Sequence, residues 1–198
     1  MQALAGSNPD EDVAVDTKTA QGLNLPEIHL EAIKVQEIPL KKGTPAEHIK
    51  RVILYRNPHE ITGPGTLYLA LQMFYRGSEE DAVHIVGIFN GYPDIERTEL
   101  LLNDMDGDGV PEVALCYQAG TDISIVRTFR FAEKEHIADD TSNIPIGAVL
   151  KQTGYFGNAT LAENGTVIVR GYADERGAIP LPVEKYRLID GVMKKVEK

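Results

Sequence analysis

The sequence predicts an all-β protein, an antiparallel meander closing into a single sandwich or small barrel, and three observations predict it. Apolar residues recur with a period of two, the signature of a half-buried strand. Asn-Gly or Asp-Gly pairs at 90–91, 164–165 and 190–191 each sit between apolar stretches, and these pairs tolerate the positive φ that tight hairpin turns require. Only two stretches, 25–35 and 131–143, are candidates for helix.

In chain order, residues 1–24 are polar, acidic and aperiodic and read as a flexible, disordered leader. One all-β domain is expected over 25–198. Leu25, Ile28, Ala32 and Val35 follow helical spacing, yet Ile33 and Val35 also suit a strand, so that stretch stays open. Residues 49–56, 82–89 and 98–102 are strands of ordinary length. The run 66–75 places Leu67, Leu69, Leu71, Met73 and Tyr75 on one face. The run 123–131 turns Ile123, Ile125, Phe129 and Phe131 inward and Ser124, Thr128 and Arg130 outward, with Arg127 breaking the pattern as at a sheet edge. Residues 131–143 are polar and expected as loop or one helical turn. Hairpins close the chain around 158–171 and 183–197, for a total of roughly eight to ten strands.

Thirty acidic residues stand against twenty basic ones, a formal net charge of −10. That balance argues against nucleic acid as a main partner, since a phosphate-binding surface needs clustered Lys and Arg, and it disfavours anionic lipid, whereas it attracts cations and basic partners. No apolar run approaches the roughly 18 residues of a membrane span. The single Cys116, inside the apolar run 113–117, excludes an internal disulfide and reads as a small buried thiol. The N-terminus lacks the basic and apolar segments of an intact signal peptide. It reads as the start of a processed or truncated exported bacterial protein, although an ordinary disordered N-terminus would begin the same way, and the sequence leaves open whether a signal peptide or lipid-anchored cysteine preceded it.

The chemical signal lies at residues 104–112. Asp104, Asp106 and Asp108 alternate, with Gly107 and Gly109 among them and Glu112 four residues beyond Asp108. Three carboxylates in five residues repel one another unless a cation shares their space. Ca²⁺ suits them, because it accepts six to eight hard oxygen ligands in flexible geometry. Gly109 sits where such a loop turns sharply, Val110 can offer its backbone carbonyl, and Glu112 adds a fourth carboxylate. An EF-hand needs flanking helices and a Glu at the twelfth position, but that position is Leu115, within a β-prone run, and Pro111 interrupts any helix. The loop therefore joins two strands.

These residues resemble the Asp-x-Asp-x-Asp-Gly-x-x-Asp/Glu loops of FG-GAP and VCBS-type repeats, found in integrin α-subunit propellers and many bacterial exported β-proteins. The resemblance spans residues 98–118. It implies that Asp104, Asp106, Asp108 and Glu112 through their side chains, and Val110 through its carbonyl, coordinate Ca²⁺. With a single such loop in the chain, a complete propeller is not expected.

The remaining candidates have plainer readings. His29, His48, His59, His84 and His136 show no metal-ligand spacing; His59 belongs to a solvated turn and His84 to a strand surface. The acidic groups at 79–81 and 139–140 read as exposed loop. The patterns at Asn158 and Asn164 match glycosylation acceptors, relevant only on a eukaryotic secretory route. Loops at 57–65 and 92–97 are suited to recognition. The expectation is an extracytoplasmic, non-enzymatic module that binds a protein or glycan partner and one Ca²⁺. The rival expectations are an inhibitor or immunity protein against a cell-wall hydrolase, and a metal-dependent hydrolase.

Overall fold

The computed structural model describes residues 4–5, 13–15, 28–39, 42–59, 65–73, 82–92, 96–120, 123–133, 148–171 and 180–196. Among the described residues there are fourteen strands and no helix, so the fold is all-β. Among the described residues no helix is long and apolar enough to cross a membrane. The chain divides into two compact units, residues 1–93 with 131–150 and residues 94–130 with 151–198.

The first unit is built on strands β1 (Leu4–Ala5), β2 (Val13–Val15), β3 (Ile28–Glu37), β4 (Ile49–Arg56), β5 (Gly65–Met73) and β6 (Ala82–Gly91). They form one sheet in the order β1-β6-β5-β4-β3-β2, and every register determined within it is antiparallel. Within the expected leader, residues 4–5 pair with β6 and residues 13–15 with β3. The open stretch at 25–35 is strand from Ile28 onward. β3 pairs with β4 from Glu31↔Arg56 to Glu37↔Arg51, with a bulge between Ala32 and Lys34. A long partner strand supplies ladder hydrogen bonds that outweigh a weak helical spacing.

Three expectations in this unit are corrected. Residues 67–73 are all buried, Gln72 included, so β5 has no solvent face. A central strand covered on both sides reads as a continuous apolar run, and the alternation seen in the sequence marks two buried faces. One face packs Ile53, Tyr55, Tyr68, Ala70 and Val83 with Leu30. Next, Asn90 and Gly91 form no turn but continue β6, paired with Thr66 and Gly65. His84, expected on the surface, is 4% exposed.

The second unit holds β7 (Glu99–Asn103), β8 (Glu112–Gln118) and most of β9 (Ser124–Glu133) and β10 (Ala148–Gly157), in the order β10-β9-β8-β7. A second four-stranded sheet follows, β11 (Ala159–Leu161), β12 (Val167–Val169), β13 (Glu184–Ile189) and β14 (Val192–Val196), in sequential order. Cys116 and Val126 of one sheet pack with Ala159 and Val167 of the other, joined by Phe156, Leu161, Tyr186 and Met193. The two sheets thus share a core, as in a sandwich. Gly154 permits close approach here: a Cβ on it would lie 2.6 Å from the Phe156 ring and 2.9 Å from Met193 Cγ. Burial pushes the Cys116 thiol up to about 11, the charge of Glu99 adds to this, and a hydrogen bond from the Leu161 backbone opposes it.

The expected hairpins at 158–171 and 183–197 are present as β11–β12 and β13–β14. Asp190 and Gly191 turn the latter with φ of 54° and 71°, the paired positive values of a type I′ turn. In β9 the pattern is only half as expected. Ile125, Phe129 and Phe131 are buried, but Thr128 is fully buried and Ile123 is 50% exposed. Thr128 fits inside because Thr153 Oγ1 lies 2.9 Å from its hydroxyl, giving the buried oxygen a partner. Arg127 is not at an edge, since β9 lies between β8 and β10. Its guanidinium is accommodated by donating to Tyr117 Oη at 3.0 Å and Gln152 Oε1 at 2.9 Å. Beyond Glu133, the stretch expected as loop lies outside the described residues, as do the acidic groups at 79–81 and 139–140.

Candidate metal centre

The loop at 104–111 is the connection of the β7–β8 hairpin, closed by the pair Asn103↔Glu112. Strands flank it on both sides, as expected from Pro111 and Leu115. The loop folds on its own polar groups. Asp104 accepts the Gly107 N–H on Oδ1 and the Gly109 N–H on Oδ2, both at 2.8 Å. Asp106 accepts the Asp108 N–H at 3.1 Å, and Asp108 accepts the Val110 N–H at 2.6 Å. Gly107 and Gly109 have φ of 82° and 83°, where a side chain would be strained, and this lets the chain coil tightly around the carboxylates.

The result is a group of carboxylate oxygens from Asp104, Asp106 and Asp108 that all lie within 4.8 Å of one another. Oxygens bound to one Ca²⁺ stand 2.3–2.6 Å from it and so at most about 5 Å apart. The three side chains fit a single coordination shell, and the cluster can hold a metal ion. Hard carboxylate oxygens select a hard cation over a thiophilic one.

Glu112, the fourth expected ligand, is not among the three carboxylates of that group. It is 3% exposed, and its Oε2 accepts the Met105 N–H at 2.8 Å. Burial pushes its carboxyl up to about 7, and the charges of Asp106, Asp108 and Asp104 push the same way; the Met105 hydrogen bond opposes them. A buried carboxylate beside three others is costly unless a cation joins them. Val110 is half-buried and enters through its N–H to Asp108. The structure therefore gathers Asp104, Asp106 and Asp108 and buries Glu112 with one carboxylate oxygen on the Met105 N–H of the same loop.

Two contacts fasten the loop to its surroundings, and the sequence reading missed both. Asn103 Nδ2 donates to the Glu163 carbonyl at 3.4 Å. Met105 packs on Gly165, where a Cβ would come within 2.6 Å of its Cγ. Both partners belong to the turn between β11 and β12. An apolar Met105 between Asp104 and Asp106 was the available signal, but nothing in the sequence named the turn it meets.

Of the other candidate residues, His136 lies outside the described residues. His59 is exposed, with its N–H donating to Asn57 Oδ1 at 3.0 Å. Residues 60–64 and 93–95 of the two expected recognition loops lie outside the described residues. Comparison of the chain with protein-family models, with curated proteins and with solved structures finds no match in any of the three.

Proposed function

We propose that the β7–β8 hairpin is a Ca²⁺ site of the FG-GAP/VCBS loop type, in an exported bacterial β-protein that acts as a non-enzymatic binding module. The observation that carries this reading is the convergence of three carboxylates into one coordination-sized cluster by a loop wound on its own backbone N–H groups. Asp104, Asp106 and Asp108 hold the ion, with Glu112 and the Val110 carbonyl completing its shell. The ion supplies charge neutralisation and rigidity. Its use is structural: it fixes the loop and, through Asn103 and Met105, the turn at 163–165. Calcium outside the cytoplasm suits an open loop of modest affinity, which supports the extracytoplasmic placement.

Isothermal titration of the chelator-stripped protein with CaCl₂ tests the reading. One saturable site is expected, lost in Asp106→Ala. An isotherm without saturable heat, or one unchanged by Asp106→Ala, overturns it.

A further inference from the structure

The β11–β14 sheet carries an open groove of about 1330 Å³, lined by Ile168, Lys185, Arg187 and Val196 from the face opposite the core residues Val167 and Tyr186, and also by Val169 and the Glu184–Lys195 pair. Four of its lining side chains come from one stretch leading into and along β13: Leu181, Val183, Lys185 and Arg187. Ile168 and Val196 flank Lys185 on the neighbouring strands, Ile168 through the β12–β13 register and Val196 through the β13–β14 register.

Two properties set this face apart. Of the large apolar side chains exposed among the described residues, Leu181 and Val183 line the groove, while Ile189 and Val192 stand exposed outside it at the turn end of β13 and β14. A cluster of apolar side chains left in water marks an interaction surface rather than ordinary surface scatter. The second property is charge. In a chain of formal net charge −10, residues 180–196 hold four cations against two carboxylates. Lys195 pairs with Glu184, and Lys194 with Asp190 at 2.9 Å. Lys185 meets no carboxylate among the described residues, while Arg187 spends its Nε on Thr166 Oγ1 at 3.1 Å.

We infer that this groove docks an extended peptide segment bearing aliphatic and carboxylate side chains. Charge complementarity selects the carboxylates, which Lys185 and Arg187 meet in a chain that otherwise repels anions. The aliphatic side chains are selected by Leu181, Val183 and Ile168. Alternate residues of an extended peptide stand about 6.6 Å apart, the same repeat as alternate residues along a strand, so such a segment lying along β13 matches its succession of apolar then basic side chains. A glycan is disfavoured because, among the described residues, no aromatic side chain lines the groove to stack on a sugar ring. The inference names the partner class for the binding role proposed above, but it rests on the groove and not on the metal.

The test is fluorescence anisotropy with the labelled peptide Val-Thr-Val-Thr-Glu-Thr-Glu, its Lys-for-Glu analogue, and polygalacturonate as competitor. The acidic peptide is expected to bind, more weakly as salt rises, and the Lys analogue to fail. Lys185→Glu is expected to weaken binding by about tenfold, and Leu181→Ser by a smaller factor, with melting curves unchanged because both side chains lie on the surface. Absence of binding, equal binding of the Lys analogue, indifference to both substitutions, or preferential occupation by polygalacturonate overturns the inference. Running the assay with saturating calcium and with chelator separates the two readings. A chain that keeps its calcium response yet ignores the peptide overturns the groove alone. One that binds the peptide but has no calcium response overturns the metal site alone.

Discussion

At the scale of single residues, the carboxylates of the loop differ in what they can lose. Asp104 serves two backbone N–H groups at once, so Asp104→Ala removes a metal ligand and two loop hydrogen bonds together. Asp106 serves only one N–H, which makes Asp106→Ala the cleaner probe of metal binding. Glu112→Gln keeps an acceptor for the Met105 N–H but removes a charge, and calcium affinity is expected to fall by about tenfold, as a competition assay with a calcium indicator would show. Cys116 offers an independent check on the core. Its thiol is 7% exposed and raised to about 11, so at pH 8 it stays protonated and out of reach. The raised value places loss of its proton well above the usual thiol range, and stability from the neutral, buried form persists until pH rises through the ordinary thiol range toward 11. Labelling by a thiol reagent at pH 8 is therefore expected to track unfolding; immediate stoichiometric labelling of the native protein would contradict the burial.

At the scale of elements, two glycines of similar backbone separate strain from packing. Gly107 has φ of 82° with nothing within 4 Å of an added Cβ, whereas Gly165 has φ of 76° and a Cβ there would strike Met105. Gly107→Ala is expected to cost about 1 kcal/mol through backbone strain alone. Gly165→Ala is expected to cost about 2 kcal/mol, because it also pushes Met105 away, and to weaken calcium binding from outside the loop. Urea denaturation and calcium titration of both variants check this, and unchanged calcium affinity in Gly165→Ala would break the proposed link between loop and turn. Hairpin chemistry explains what could be read in advance. Asp190-Gly191 behaves as its residues dictate because Ile189 and Val192 pair directly across it. Asn90-Gly91 has the same turn propensity, yet Thr66 and Gly65 opposite it hold both residues in a ladder. A turn signal specifies a local preference only, and a paired strand overrides it.

At the scale of the whole molecule, calcium is expected to act as a stabilising ligand. At free calcium 100-fold above the dissociation constant, linkage adds about 2.7 kcal/mol. For a chain of this size that raises the melting midpoint by roughly 5–10 °C. Differential scanning fluorimetry with calcium and with chelator measures it, and coincident curves would remove the stabilising role.

Local sequence was enough for the all-β class, the two C-terminal hairpins and the strand-flanked loop at 104–112. Each depends on neighbours within a few residues: period-two apolarity, Asp-Gly and Asn-Gly turns, and alternating carboxylates that repel unless shared by a cation. Packing between distant segments settled which strands have no solvent face, where His84, Thr128 and Arg127 go, and that Met105 rests on Gly165. It also assembled the groove, whose lining comes from residues near 164, 168, 185 and 196. Those outcomes depend on which remote stretches meet. Burial and shared hydrogen bonds are properties of that pairing, and no single strand's pattern carries them.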